Sequence, residues 1–356
     1  MKKLTLLFGL ALIIQAIAVS QPCLPDGITF SNQEEINNFQ TNHPNCTEIV
    51  GSVLIKGNDI TNLNGLSVLT AIGTLEIGNL EGGNPSLTSL TGLDNVTSIG
   101  WGLGIVYNDV LTSLSGLNNL TSIGLGIGIM GNAALTSLTG LDNITSIGGG
   151  FAIGDNPALT SLTGLDNLTS IPGLLYIWDC PSLTSLTGLA NVTSIGGELA
   201  IVDNDVLPSL MGLDNIDAAS IDSLRISQNN SLSTCEVQSV CDYLASPGGT
   251  ISIGNNAIGC SSQQEVEEAC VGVSVPNLNV KFEFSIYPNP ATDKLIITSN
   301  NGLKIKTVNI YNQLGQKVFH RNEIRENIDI STLGQGIYII ELTSKEQKFR
   351  QKLVIQ

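Results

Sequence analysis

The sequence predicts an all-β protein, with a β-solenoid of about nine coils followed by a small β-sandwich. Two observations carry this prediction. A 24-residue unit recurs five times without a gap over residues 88–207, and such strict spacing is typical of chains that stack one structural unit per repeat. The repeats stop before residue 284, and the remaining residues alternate apolar and polar side chains in short runs separated by turns, which predicts antiparallel strands.

Each copy of the unit has a leucine-rich opening, such as TSLTGLDN at residue 88, and then a short apolar-x-apolar segment. One copy has too few apolar side chains to offset the entropy lost in ordering its backbone, so we expect its stability to come from stacking on its neighbours. The apolar-x-apolar segment predicts one strand per coil. These strands are expected at residues 103–105, 127–129, 151–153, 175–177 and 199–201.

A polar residue stands three positions after the second apolar residue of each strand: Asn108, Asn132, Asn156, Cys180 and Asn204. An inward asparagine here can satisfy backbone groups of the turn and of the next coil. The pattern resembles the core of leucine-rich repeats, and the whole unit is similar to their receptor L-domain type. That resemblance implies a right-handed solenoid, and it implies that Cys180 is a buried structural thiol; the alternative is a reactive thiol.

Degenerate coils extend the array on both sides of the five copies. Strands are predicted at residues 53–55 and 75–77 upstream, and at 224–226 and 251–253 downstream. The second coil carries about four extra residues before Asn84. The solenoid is therefore expected over residues 49–232, with its last coil in the segment that follows.

The first 20 residues predict a secretory signal peptide. Lys2 and Lys3 precede an apolar run over residues 4–19 that ends in small residues, so cleavage is expected near Gln21. A membrane anchor fits less well because the run is short, and no other stretch is apolar enough to span a bilayer. We therefore expect an exported mature chain without a transmembrane span.

The seven cysteines fit an oxidising compartment. Two lie in residues 21–48 and four in residues 233–272, at the two ends of the predicted solenoid, where disulfide-stapled caps would protect the end coils. Zinc is disfavoured because there are no C-x-x-C pairs and no histidine near the second group, so neither a metal nor a cofactor is predicted. Four cysteines allow three connectivities, and the favoured pairs are Cys23–Cys46, Cys235–Cys260 and Cys241–Cys270.

Charge divides the chain sharply. Between residues 4 and 280, two basic residues, Lys56 and Arg225, stand against 24 acidic ones, whereas residues 281–356 hold 11 basic and 7 acidic residues. The repeat region therefore has a formal charge of −22 and the tail one of +4. A surface this acidic repels nucleic acid and anionic lipid, so neither is a predicted partner.

Residues 273–283 read as a linker, and residues 284–356 as the small sandwich. The latter resemble the type A C-terminal sorting domain of the type IX secretion system of Bacteroidota. The resemblance implies that the export machinery is a partner, and that the protein crosses the periplasm to be released or anchored to lipopolysaccharide at the cell surface. The matching sorting-signal residues are Tyr287, Pro288, Asn289, Pro290, Gly336, Tyr338, Lys352, Leu353 and Val354, together with residues 314–318.

Catalytic residues are not predicted. The two histidines, His43 and His320, fall outside the repeats, so no Ser-His-Asp or Cys-His arrangement can form on the repeat face. Carboxylates recur at one repeated position, as in Asp94 and Asp142, which is typical of turn residues; weak calcium binding and catalysis are the alternatives. The regular threonine columns that begin at Thr88 and Thr91 resemble those of ice-binding proteins, but here they are expected in a bend and not on a T-x-T strand.

The outward residues of the strands are the variable ones, and they form the predicted recognition surface. Aromatic side chains are scarce in this chain, yet several share this face beside a row of aspartates, which suits glycans or protein loops. The alternative is that large side chains simply cover a glycine-rich face. The candidate ligand-binding residues are Trp101, Tyr107, Met130, Asp155, Tyr176, Trp178, Asp179 and Asp203.

The sequence thus predicts a secreted or cell-surface protein that binds a glycan or a protein without catalysis. Two rival functions remain open: a glycan-degrading surface enzyme built on a β-helix, and a structural coat or spacer.

Overall fold

The computed structural model describes residues 22–273, 284–299, 305–312, 316–322, 327–344 and 347–356. The chain divides into two compact units, Met1–Val275 and Pro276–Gln356. Both consist mainly of β-strands, with few helices. The predicted signal peptide, all but one residue of the predicted linker and part of the 314–318 motif lie outside the described residues.

The first unit is built from parallel strands. Fourteen of them form one sheet in which the pairs run parallel, and β11 and β13 form a separate parallel pair. The strands are β1 (Pro22–Cys23), β2 (Ile28–Phe30), β3 (Glu48–Ile55), β4 (Ala71–Ile77), β5 (Ser98–Ile99), β6 (Leu103–Val106), β7 (Ser122–Ile123), β8 (Ile127–Met130), β9 (Ser146–Ile147), β10 (Phe151–Gly154), β11 (Ser170–Ile171), β12 (Leu175–Trp178), β13 (Ser194–Ile195), β14 (Glu198–Val202), β15 (Ser223–Ser227) and β16 (Ile251–Gly254).

The longer strands stack in the register that the repeat dictates. Leu103 pairs with Ile127 and Phe151 with Leu175, in each case 24 residues on. All nine predicted strands are present in this stack, and β2 adds a further strand beside β3. The step from Ile77 to Ile105 is 28 residues, which accounts for the four extra residues predicted in the second coil.

A second column of strands was not anticipated from the sequence. In each of the five copies the Ser-Ile dipeptide before the longer strand forms its own two-residue strand, as in the pairing of Ile99 with Ile123. The long strands β3 and β4 take part in both columns. Leucines and isoleucines from every coil fill one continuous buried core, and they are almost entirely removed from water.

A buried asparagine ladder runs along the inside of the stack. The side-chain amide of Asn132 donates to the carbonyls of Ile105 (2.9 Å) and Met130 (3.2 Å) and to Oδ1 of Asn156 (3.3 Å). Its own Oδ1 accepts from the backbone N–H of Asn108 (3.1 Å). The other members repeat these contacts, and Cys180 interrupts them. The ladder comprises Asn84, Asn108, Asn132, Asn156, Asn204, Asn229 and Asn256.

A second ladder lies on the outside and was missed in the sequence. The asparagine that follows the turn residue in each coil donates to a carbonyl of the preceding coil, as Asn143 does to Asn118 at 2.6 Å. Threonine hydroxyls do the same elsewhere; Thr184 donates to the carbonyl of Thr160 at 3.1 Å. The members of this exposed asparagine ladder are Asn95, Asn119, Asn143, Asn167, Asn191 and Asn215.

Helices occur at the two ends of the stack. The first end has α1 (Gln33–Asn37) and α2 (Phe39–Asn42), and the second has α3 (Gln238–Ala245) and α4 (Gln263–Val273). Short 3₁₀ turns lie at Asn64–Leu66, Thr187–Leu189 and Ala218–Ser220. Three disulfides are present, with the connectivity favoured from the sequence: Cys23–Cys46, Cys235–Cys260 and Cys241–Cys270.

The second unit contains two antiparallel sheets. One has the order β17-β18-β21 and the other β20-β19-β22-β23, and their apolar side chains share one buried cluster that includes Leu295, Val308 and Ile340. The strands are β17 (Phe284–Tyr287), β18 (Lys294–Ser299), β19 (Thr307–Tyr311), β20 (Lys317–Asn322), β21 (Asn327–Asp329), β22 (Gly336–Ser344) and β23 (Gln347–Ile355).

Candidate functional site

The exposed face of the longer strands follows directly from their register. Leucine and isoleucine side chains point inward, so the residues between them form columns on the other face. Tyr176 pairs with Ala152 on one side and Ala200 on the other, and Trp178 pairs with Gly154 and Val202. Small residues therefore flank the two aromatic side chains, which gives their rings room to lie against the sheet.

Tyr176 and Trp178 form the centre of a stacked cluster. Their rings stack with centroids 4.5 Å apart and planes 28° apart. The guanidinium of Arg225 lies over the Tyr176 ring, 5.2 Å from its centroid, and Nε of Arg225 is 3.5 Å from a carboxylate oxygen of Glu198. We call these four residues the aromatic cluster. Both rings are half-buried, so the cluster is ordered and still partly open to solvent.

The indole of Trp178 can occupy its position because residue 154 is a glycine. A Cβ built on Gly154 would stand only 2.0 Å from the Trp178 ring, so any larger residue would collide with it. Gly154 is therefore part of the surroundings that fix the position of the Trp178 ring.

A row of exposed aspartates borders the cluster. Asp155, Asp179 and Asp203 each follow the end of a strand, and each has the left-handed backbone conformation, with φ between 46° and 55°. Asparagine, aspartate and glycine accept this conformation more readily than other residues do, which explains the residue type at this position. All three aspartates are exposed to solvent.

The other candidate residues lie apart from the cluster. Trp101 is 59% exposed, in the bend before β6, at the opposite end of the strands from Tyr107. Met130 is half-buried on β8. Val106 and Val202, which pair with Met130 and Trp178 on adjacent strands, are only 8% and 7% exposed because these larger neighbours shield them.

Glu198 was missed by sequence reasoning, although a signal existed. Arg225 is one of two basic residues between residues 4 and 280, and it falls in the same column as Tyr176. An isolated arginine in so acidic a region needs a carboxylate partner nearby, and Glu198 begins the neighbouring strand.

The repeated turn carboxylates are engaged by the backbone. Asp142 accepts a hydrogen bond from the N–H of Gly140 at 2.7 Å, and Asp94 accepts one from Gly92 at 2.8 Å. Asp166 and Asp214 repeat the contact. These side chains therefore stabilise turns, as the sequence pattern indicated.

The thiol of Cys180 is buried within the asparagine ladder. Burial raises its pKa from 9.0 to about 11, so the sulfur is protonated at neutral pH and is a poor nucleophile. It donates weakly to the carbonyl of Trp178 at 3.4 Å, and the backbone N–H of Cys180 bonds to Oδ1 of Asn204.

In the second unit, the two ends of the predicted sorting signal meet. The amide of Asn289 donates to the carbonyl of Lys352 (2.8 Å), and its Oδ1 accepts from the N–H of Val354 (2.9 Å). Asn289 therefore extends the hydrogen bonding of β23 by one side chain, while Leu353 packs into the core on the other face.

The remaining sorting residues also have local explanations. The hydroxyl of Tyr338 donates to the carbonyl of Gly334 at 2.9 Å, and Gly336 lies beneath the Tyr338 ring. Tyr287 is exposed, and the peptide bonds that precede Pro288 and Pro290 are cis.

Comparison with known proteins bears on this second unit. Residues 285–356 match the family described as Secretion system C-terminal sorting domain. The match does not extend to the repeats. The protein is therefore exported by type IX secretion and is either released or attached to the cell surface.

Two characterised proteins share this region. Beta-agarase D of Zobellia galactanivorans is 35% identical over 74 residues, which is 20% of this chain and 15% of that enzyme. Endo-acting ulvan lyase of Formosa agariphila is 36% identical over 75 residues, which is 20% of this chain and 14% of that enzyme. Both similarities are confined to the C-terminal region, so they bear on export and not on the chemistry of the repeats.

Among the described residues, no helix combines the length and the apolar composition needed to cross a lipid bilayer.

Proposed function

We propose that this is a secreted or cell-surface binding protein without catalytic activity, which presents a recognition surface for a glycan or a protein ligand. In this proposal the parallel stack is a right-handed solenoid of the receptor L-domain, leucine-rich-repeat type, and the second unit is a small Ig-like sandwich. The 24-residue register and the buried asparagine ladder support that architecture.

The aromatic cluster is the observation that carries the proposal. Two stacked rings and a guanidinium are held in place by their mutual contacts and by the small residues on neighbouring coils. Because these side chains are already ordered, a ligand that binds them loses less conformational entropy than one that must immobilise free side chains. Aromatic and arginine side chains are also the residues most enriched at binding hot spots.

The aspartate row supplies the complementary polar groups. Three exposed carboxylates stand side by side on successive coils, which are about 4.8 Å apart. They can accept hydrogen bonds from sugar hydroxyls or from peptide N–H groups, while the rings pack against the apolar faces of the same ligand. This combination is the basis for the glycan and protein classes.

Three features support a non-catalytic role. The Cys180 thiol is buried and protonated, and the repeated turn carboxylates bond to the backbone. Between residues 22 and 273 the described histidine is His43, which lies at the C-terminal end of α2 with its ring tilted by 40° against that of Phe39. Glycan degradation and a purely structural coat are the competing functions that the following experiment separates.

The test combines a glycan array with a hydrolysis assay on the same glycans. The double variant Tyr176→Ala/Trp178→Ala should weaken the affinity for the array ligand about 30-fold or more, as expected for hot-spot residues worth about 2 kcal/mol. Trp101→Ala is the matched control, because it removes the other tryptophan from a position outside the cluster.

Unchanged affinity in the double variant would exclude the aromatic cluster as the binding site. Turnover of a glycan that one acidic substitution abolishes would establish an enzyme instead. If neither the array nor a panel of purified surface proteins gives saturable binding, the protein is a structural coat or spacer.

A further inference from the structure

A cleft of about 600 Å³ opens at the strand ends of the first coils, in the volume range of small-molecule binding sites. Its walls come from three successive coils and include Lys56, Glu81, Gly83, Pro85, Tyr107 and Asp109. It lies about three coils, or roughly 14 Å, along the stack from Trp178. It is therefore separate from the aromatic cluster.

The cleft exists because one coil departs from the repeat. The four extra residues between Ile77 and Ile105 form a small excursion in which Asn79 and Gly82 exchange backbone hydrogen bonds of 2.9 Å. This excursion carries Glu81 to the rim of the cleft. A wall of this kind is confined to the one coil that has the extra residues.

Tyr107 has a left-handed backbone conformation, which glycine or aspartate adopts at the same position of the next three coils. Its φ is 55°, in the left-handed region, and the same position in the next coils holds Gly131, Asp155 and Asp179. For a tyrosine this conformation costs about 1–2 kcal/mol. The ring lies against Gly131, and the residue is still 37% exposed. Strained residues of this kind cluster at functional sites.

The charges of the cleft select the ligand. Nζ of Lys56 is 3.2 Å from a carboxylate oxygen of Glu81, which neutralises the lysine, and Asp109 adds one negative charge. An anionic ligand would have to compete with Glu81 for Lys56 and would approach a region with a formal charge of −22. A neutral ligand rich in hydroxyl groups avoids both costs.

We infer that this cleft is a binding site for a neutral oligosaccharide. Tyr107 and Pro85 supply the apolar surface for the faces of the sugar rings, the carboxylates of Glu81 and Asp109 accept hydrogen bonds from hydroxyl groups, and Lys56 donates one. The site contains no residue of the aromatic cluster. The inference therefore holds in both cases, whether that cluster binds a glycan or a protein.

The test is calorimetric titration of the exported protein with neutral cello- and laminari-hexasaccharides and with anionic hexagalacturonate. A neutral hexasaccharide should bind, and Tyr107→Gly should weaken that binding at least tenfold. The same variant should melt at the same temperature as the wild type or higher, because glycine adopts the left-handed conformation without strain. Tyr107→Asp, which copies the residue found at position 155, is a second variant that is expected to fold.

Two further measurements keep this site distinct from the aromatic cluster. The Tyr176→Ala/Trp178→Ala variant should retain the hexasaccharide affinity, and Lys56→Gln should reduce it. A Tyr107→Gly variant that melts lower but binds normally would show that Tyr107 only packs, and would overturn the inference. Preference for hexagalacturonate, or no binding of either neutral hexasaccharide by the wild type, would overturn it as well.

Discussion

The stack contains two asparagine ladders, one buried and one exposed. The same side-chain amide group is surrounded by protein in the first ladder and is open to water in the second. In both, a side-chain amide donates to a carbonyl of the preceding coil. Inside, Asn132 is fully buried and makes several such bonds, whereas Asn143 on the outside is exposed and makes one. Water can replace a lost partner only on the outside. The buried ladder should therefore determine stability, and the exposed one should contribute little.

The largest effect is expected for Asn132→Ala. The change removes a donor to the carbonyls of Ile105 and Met130 and the acceptor for the backbone N–H of Asn108. The carbonyl of Met130 still accepts from the N–H of Tyr107 at 3.0 Å, so the main penalty comes from the buried N–H of Asn108. We expect the free energy of unfolding to fall by about 3 kcal/mol or more. Urea unfolding followed by tryptophan fluorescence measures it, because both tryptophans lie in this unit. A loss no larger than that of an exposed ladder variant would refute the comparison.

A gain in stability, of intermediate size, is expected from placing an asparagine at position 180, where Cys180 interrupts the buried ladder. Cys180→Asn would replace the weakly accepting sulfur beside the backbone N–H of Asn156 with an amide oxygen and add a donor towards the preceding coil, by analogy with Asn204. We expect a gain of about 1 kcal/mol in the same urea experiment. If the variant is less stable than the wild type, the space at this position is too small for an amide.

The same substitution also changes the dependence of stability on pH. Burial raises the pKa of Cys180 from 9.0 to about 11, so the unfolded chain loses this proton first as the pH rises. The contribution of the neutral thiol is fully present below pH 9 and is lost between about pH 9 and 11, about 3 kcal/mol in all. Comparing wild type and Cys180→Asn at pH 8 and 10.5 isolates it from the other groups that titrate there. Parallel pH curves would contradict the assignment.

The smallest effect is expected for Asn143→Ala on the exposed ladder. Its one hydrogen bond, to the carbonyl of Asn118, can be replaced by water. We expect a loss of about 0.5 kcal/mol, at the lower end for a net hydrogen bond. A loss of unfolding free energy comparable to that of Asn132→Ala would show that the exposed asparagine ladder contributes as much to stability as the buried one.

Much of the fold could be predicted because one period controls it. The spacing of 24 residues places Asn108 beside Asn132 and Leu103 beside Ile127 without any knowledge of the turns between them. The short Ser-Ile strands could not be predicted in the same way, because two residues carry no recognisable strand pattern. The exposed ladder was missed because the dipeptide Asp94-Asn95 is equally typical of an ordinary turn.

The candidate sites were less predictable than the scaffold. The column that contains Tyr176 and Arg225 could be read from the repeat, but the stacking of Tyr176 on Trp178 depends on side-chain rotamers and on the space above Gly154. The cleft beside Tyr107 requires three coils and an irregular excursion to come together. In the second unit, Asn289 and Lys352 are 63 residues apart, and only a folded sheet brings them into contact.

The 24-residue register has a consequence for how such a chain can change. Every coil from residue 88 to 207 offers nearly the same backbone partners to the coil before it and to the coil after it. Deleting or duplicating one whole unit by recombination between these near-identical segments would leave the ladders and the core intact. Its main effect would be to change the separation between Tyr107 and Trp178 in steps of about 4.8 Å. Duplication of a unit between residues 112 and 159 lengthens the distance between the two surfaces while Gly131 stays beside Tyr107 and Gly154 beside Trp178, whereas deletion of one of these units removes one of the two glycines from its place.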